Sequence, residues 1–127
     1  MFDKLEKHHI GFIIPLEEKA GIEQRFGKTF NYDAIQGTHV IFVYDKIFRM
    51  LVEYICQEGR VANQKPGFAH ICYNLKDRAQ LQEAEDFILG NKMGYPLTEL
   101  EKSGSKECGF IKFYYLKNQG VIEFNVP

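Results

Sequence analysis

The chain has 127 residues, 45% hydrophobic and 14% aromatic, which is the size and composition of one folded domain with a real core. Sixteen basic residues against seventeen acidic ones, with no dense run of either sign, exclude the footprint of a nucleic-acid binder or of a protein held on an acidic membrane surface. Cys56, Cys72 and Cys108 are odd in number and lie outside any CxxC spacing, so neither a disulfide framework nor a thiolate zinc site is indicated, and each is expected as a small buried hydrophobe in a reducing compartment.

The opening "MFDKLEKHHIGF" lacks the apolar segment of a signal peptide, and no stretch approaches the roughly 20 apolar residues of a membrane span, so a cytoplasmic location is expected. "HHIGFIIP" reads as a strand. "LEEKAGIEQRFGKT" follows as a short or irregular helix, because Gly21 and Gly27 would each cost about 1 kcal/mol relative to Ala inside it, leaving Ile22 and Phe26 as its apolar anchors. Three strands come next, "FNYDAI", "HVIFVYD" and "RMLVEYIC". "QEGRVANQKPG" has the Gly, Asn and Pro content of a connector.

The second half opens on the strand "AHICYNL" and continues into a helix over "DRAQLQEAEDFILGN". There Leu81, Ala84 and Ile88 share one face, and Asp77 stands as N-cap with Gln80 three residues on. Strands are expected at "PLTELE", "GFIKFYYL" and "GVIEFNV"; the loop "EKSGSKECG" matches no phosphate-loop spacing and predicts only flexibility. The pattern is β-α-β-β-β twice, an α+β chain with module one at about 7–57, a connector at about 58–66 and module two at about 67–127.

Laying one half over the other brings His9 onto His70 and Glu53 onto Glu123. The histidines sit on the opening strand of each half and the glutamates on the closing strand, all four in apolar surroundings. Alternation groups His9 with Gly11, His70 with Cys72, Glu53 with Leu51 and Ile55, and Glu123 with Val121 and Asn125. Ile10, Phe12, Ile71, Tyr73, Val52, Tyr54, Ile122 and Phe124 fall on the opposite face, the one a helix would cover.

Taken singly, a histidine on an apolar strand is a hydrogen-bonded core residue and a glutamate is an ion-paired one. Twin placement changes that reading, because a carboxylate buried without a cation costs several kcal/mol. If the two copies pair about a pseudo-twofold axis, two imidazoles and two carboxylates converge, a donor set that neutralises a divalent ion and leaves positions open for water or substrate oxygens. Zinc, nickel, cobalt, manganese and ferrous iron all suit it, and the residue types do not choose among them.

The doubled βαβββ pattern, with "HHIGFIIP" opening, "GFAHICYNL" at mid-chain and "GVIEFNVP" closing, resembles the vicinal oxygen chelate (glyoxalase, bleomycin resistance and dioxygenase) superfamily over essentially the whole chain. The resemblance implies two modules forming a cupped, partly open β-barrel whose cleft holds one divalent metal ion. By position it places the ligands on His9, Glu53, His70 and Glu123. Within the superfamily the His-Glu-His-Glu set is similar to glyoxalase I, while "HHIGFIIP" and the compact size are similar to methylmalonyl-CoA epimerase, which usually has Gln where Glu53 stands.

Both resemblances imply one reaction logic. Two substrate oxygens chelate the metal, the carbon beside the carbonyl becomes more acidic, and a carboxylate, Glu123 or Glu53, moves its proton. The substrate class is then a small molecule such as an acyl-CoA or a thiol adduct, and pairing into a homodimer is implied only by analogy. On "GFIKFYYL", alternation separates Phe110, Lys112 and Tyr114 from Ile111, Phe113 and Tyr115. The second, apolar set is expected against the helices, which leaves Lys112 and Tyr114 toward the cleft as candidate substrate contacts. His39 and His8 are expected at the surface. Two alternatives use the same fold: a ferrous dioxygenase built on His9, His70 and Glu123, and a ligand-binding or resistance protein without catalysis.

Overall fold

Among the described residues, runs rich in apolar and β-branched residues build nine strands, and two segments build the α-helices. The computed structural model describes residues 4–127, which form two compact units: residues 9–69, and residues 70–127 together with 4–8.

In the unit of residues 9–69 the sheet order is β2-β3-β4-β1, with β1 at Glu6–Ile14, β2 at Asn31–Asp33, β3 at Thr38–Asp45 and β4 at Met50–Cys56. β1 runs parallel to β4 from His9 onward, and β3 is antiparallel to both β2 and β4. A 3-10 turn at Leu16–Glu18 leads into α1, Lys19–Phe26. The helix is short, as the sequence predicts, with no side-chain cap and no fully buried residue. Gly27 is not inside it: at φ 62° it supplies the left-handed residue that ends it, a conformation glycine adopts without the usual Cβ penalty. Ile22 and Phe26 pack on a core of Ile14, Phe30, Ile41, Val43, Val52 and Cys56.

In the other unit the order is β5-β9-β8-β6, with β5 at Gly67–Asn74, β6 at Gly94–Pro96, β8 at Phe110–Leu116 and β9 at Gly120–Val126. From His70 onward β5 runs parallel to β9, as β1 does to β4. α2, Arg78–Gly90, starts at Asp77, whose carboxylate accepts the Gln80 N–H at 2.8 Å. Leu81, Ala84 and Ile88 bury its inner face against Tyr73, Tyr114, Leu116, Ile122, Phe124 and Val126. Each module thus covers the sheet face that alternation had assigned to a helix.

The strand expected at "PLTELE" is broken. β6 and a two-residue strand β7, Glu101–Lys102, lie along the same edge of β8, with Pro96 opposite Tyr114 and Glu101 opposite Ile111. Four residues, 97–100, therefore stand against two, 112 and 113, and the surplus bulges out. The ladder runs past Pro96, since the Leu97 N–H still donates to the Phe113 carbonyl at 2.8 Å, and it breaks at the next bond, where the Phe113 N–H goes to the Thr98 hydroxyl at 3.1 Å instead of a carbonyl. Counted as one interrupted strand, β6 and β7 complete the second βαβββ unit, and the chain is α+β as expected. The connector holds a 3-10 turn at Gly59–Val61. Among the described residues no helix is long and apolar enough to cross a membrane.

Candidate metal centre

In the module of residues 9–69, parallel pairing sets His9 opposite Leu51 and Gly11 opposite Glu53. His9 and Glu53 are therefore two residues out of step on neighbouring strands and on the same face. Nε2 of His9 stands 3.3 Å from Oε1 of Glu53, and both residues are buried, at 1% and 2% exposure. Phe42 of β3 pairs with Glu53 from the other side, and its ring meets His9 edge to face, with centroids 5.0 Å apart and planes at 88°. That contact limits rotation of the imidazole.

The second module repeats the arrangement. His70 lies opposite Val121 and Cys72 opposite Glu123, the same two-residue offset. Nε2 of His70 stands 3.1 Å from Oε1 of Glu123, both residues at 3% exposure. Phe113 of β8 pairs with Glu123 and meets the His70 ring at 5.5 Å and 86°. Each module thus presents one imidazole nitrogen and one carboxylate oxygen side by side in a water-excluded setting, backed by a phenylalanine edge. A carboxylate held there needs positive charge, from a protonated imidazole or from a cation bound to both. One neutral imidazole and one carboxylate per module is a donor chemistry that fits a borderline divalent ion.

Glu53 has a further neighbour. Gln36, in the four-residue connection between β2 and β3, places Nε2 3.1 Å from Oδ2 of Asp33 and 3.5 Å from Oε2 of Glu53. Asp33 is itself buried and accepts the N–H groups of Ile35 and Gln36 on Oδ1 at 2.9 and 3.1 Å.

The expected cleft-facing position of Lys112 and Tyr114 is corrected. In the antiparallel register of β8 on β9, Lys112 pairs with Phe124 and Tyr114 with Ile122, residues of the helix-covered face. Both side chains accordingly turn to α2: Lys112 Nζ lies 2.8 Å from Oε1 of Glu85, and the Tyr114 hydroxyl donates to the same oxygen at 2.8 Å. Burial first, and then Glu85, push the Tyr114 hydroxyl well above its ordinary range. The hydrogen bond from Lys112 is the main cause holding Glu85 below the ordinary carboxylate range. Phe113, assigned by sequence to the helix side, is the residue on the face of Glu123. His39 is partly exposed and bonds through Nδ1 to Oε1 of Glu58 at 2.7 Å. Cys56 and Cys72 are buried as expected, while Cys108 is only half-buried.

No protein-family model matches the chain, and no curated protein does. Solved structures do. A hypothetical protein from Bacillus halodurans C-125 superposes with a TM-score of 0.69 at 16% identity, over 98% of this chain and 95% of that one. Methylmalonyl-CoA epimerase from Mycobacterium tuberculosis gives 0.66 at 13%, over 96% and 87%. A variant of the Streptomyces coelicolor methylmalonyl-CoA epimerase, in complex with 2-nitronate-propionyl-CoA, gives 0.58 at 16%, over 97% and 98%. At these identities the likeness establishes the fold.

Proposed function

Starting from a chain with the vicinal oxygen chelate fold, we propose that His9, Glu53, His70 and Glu123 together hold one divalent metal ion and that the protein moves a proton on the carbon beside a carbonyl. The reaction class is that of an isomerase, epimerase or lyase. The observation that carries this reading is the duplication of one buried His–Glu pair, at the same strand offset and with the same phenylalanine edge, in both modules. A ligand set shared by the two halves accounts for the pair recurring at equivalent positions of both.

When bound, the ion supplies Lewis-acid polarisation of a carbonyl oxygen, which lowers the pKa of the neighbouring C–H. The protein's own residues do the rest. His9 and His70, their rings fixed by Phe42 and Phe113, serve as neutral donors. Glu53 or Glu123 takes the proton from the substrate carbon and returns it, to the same face or the other. The low exposure of all four residues keeps water away from the transferring proton. Epimerase neighbours, one of them with an acyl-CoA-type ligand, support an acyl-CoA thioester as the substrate class, and the His-Glu-His-Glu set supports a hemithioacetal as the other member of the test panel. The four-donor set favours this chemistry over a ferrous oxygenase, which needs only three protein ligands and an open position for oxygen.

The test is proton exchange. Metal-loaded protein with methylmalonyl-CoA in deuterium oxide should place deuterium beside the carbonyl, and the Glu53→Gln and Glu123→Gln variants should separate ligand from base by which one abolishes exchange. Protein that carries its metal yet leaves both methylmalonyl-CoA and the methylglyoxal hemithioacetal unlabelled would remove the reading.

A further inference from the structure

The overlay of the two modules leaves Gln36 without a counterpart, because the connection that carries it spans 34–37 in one module and 103–109 in the other. We infer that Gln36 is a positioning residue for the metal centre, which fixes Glu53 as a carboxylate ligand by holding its second oxygen; this rests on the metal reading above.

The orientation of the amide is set by what it faces. Its neighbours, Oδ2 of Asp33 at 3.1 Å and Oε2 of Glu53 at 3.5 Å, are carboxylate oxygens that only accept when ionised. The nitrogen must therefore point at both, one N–H toward each. Two buried carboxylates are bridged by one neutral group, and Oε1 of Glu53 is left toward His9.

Gln36 is able to impose that geometry because its own backbone is tied down on three sides. Its N–H goes to Asp33 Oδ1, its carbonyl accepts the Arg60 N–H at 3.1 Å, and the next residue, Gly37, donates to the Asp33 carbonyl at 2.8 Å. Gly37 has φ 66°, and Gly59 approaches so closely that a Cβ on it would stand 2.0 Å from the Gly37 carbonyl oxygen. This is the construction of a side chain that orients a ligand from behind, where such outer partners typically govern about 10–100-fold in metal affinity.

The test uses apoprotein and a cobalt(II) titration read by visible absorption, with thermal melting of the apoprotein alongside. Gln36→Met keeps the volume and removes both N–H groups; Gln36→Asn keeps the amide on a stem too short to reach Glu53. Both variants are expected to melt close to wild type without metal, to bind cobalt about tenfold or more weakly, and to show altered ligand-field bands. Wild-type affinity and spectrum in both variants would overturn the role of Gln36 and leave the metal reading standing. A wild-type protein that takes up no cobalt, zinc, nickel, manganese or iron would overturn the metal reading and this inference with it.

Discussion

His9 and Glu53 face each other at 3.3 Å because the parallel register of β1 on β4 puts Leu51 opposite His9 and carries Glu53 two residues further along the same face. The same offset between β5 and β9 produces the pair of His70 and Glu123. Register, not chain proximity, makes the pairs, so they depend on the packing that holds register.

Phe42 is one element of that packing. It is 4% exposed and contacts both Glu53, through strand pairing, and the His9 ring. Phe42→Ala is expected to cost about 3–5 kcal/mol in urea unfolding, the range for emptying a phenylalanine site in a core. Phe42→Leu refills most of the space without an aromatic edge, so it should unfold nearer to wild type while binding metal more weakly. A Phe42→Ala protein as stable as wild type would show that the ring is not packed.

Glu85 gives the fold a pH signature away from the proposed centre. Lys112 above all, with the Tyr114 hydroxyl, holds its folded pKa below the ordinary 4.5, so the folded state binds this proton less readily than the unfolded chain. The stabilisation is present above about pH 4.5 and lost as pH falls through the depressed folded value. Tyr114 has the opposite sign: its folded pKa is raised above the ordinary 10, so its contribution holds below pH 10 and is lost as pH rises beyond it. Melting temperatures against pH should show both flanks, the acid one reduced in Glu85→Gln and the alkaline one in Tyr114→Phe. Identical profiles for wild type and both variants would contradict the assignment.

Cysteine reactivity follows from burial. Burial, with the Glu58 charge adding, pushes the Cys56 thiol up to about 11, so at pH 8 only about one part in a thousand is thiolate. Cys72 is fully buried and Cys108 half-buried. A disulfide-exchange reagent at pH 8 should label one thiol per native chain, Cys108 by mass mapping, and three after denaturation. Rapid native labelling of Cys56 would contradict this packing.

The alternation of residues was enough to place the helix-covered faces of β1, β4, β5 and β9, and the overlay of the halves was enough to single out His9, Glu53, His70 and Glu123. Lys112 and Tyr114 were misplaced because the face of a middle strand depends on its register against its neighbour: even-numbered residues of β8 pair with even-numbered residues of β9, which is a fact of the ladder and not of "GFIKFYYL" itself. Phe42 and Phe113 carried a usable signal, since both stand at the centre of the strand before the closing one. Gln36 carried none, because it exists in one copy only and its amide is brought to Glu53 by a turn whose shape depends on Gly37, Gly59 and Asp33 together. The strand at "PLTELE" is broken after Leu97, where two surplus residues bulge before Glu101 resumes the pairing.

In the proposed centre, two separate His–Glu pairs serve one ion. Metal analysis of the protein after reconstitution and desalting, beside His9→Ala and His70→Ala, addresses it directly. One ion per wild-type chain is expected, with affinity falling at least about 100-fold in each variant, since loss of a ligand should exceed the 10–100-fold typical of its outer partners. Two ions per chain, or an ion that survives either substitution unchanged, would contradict it.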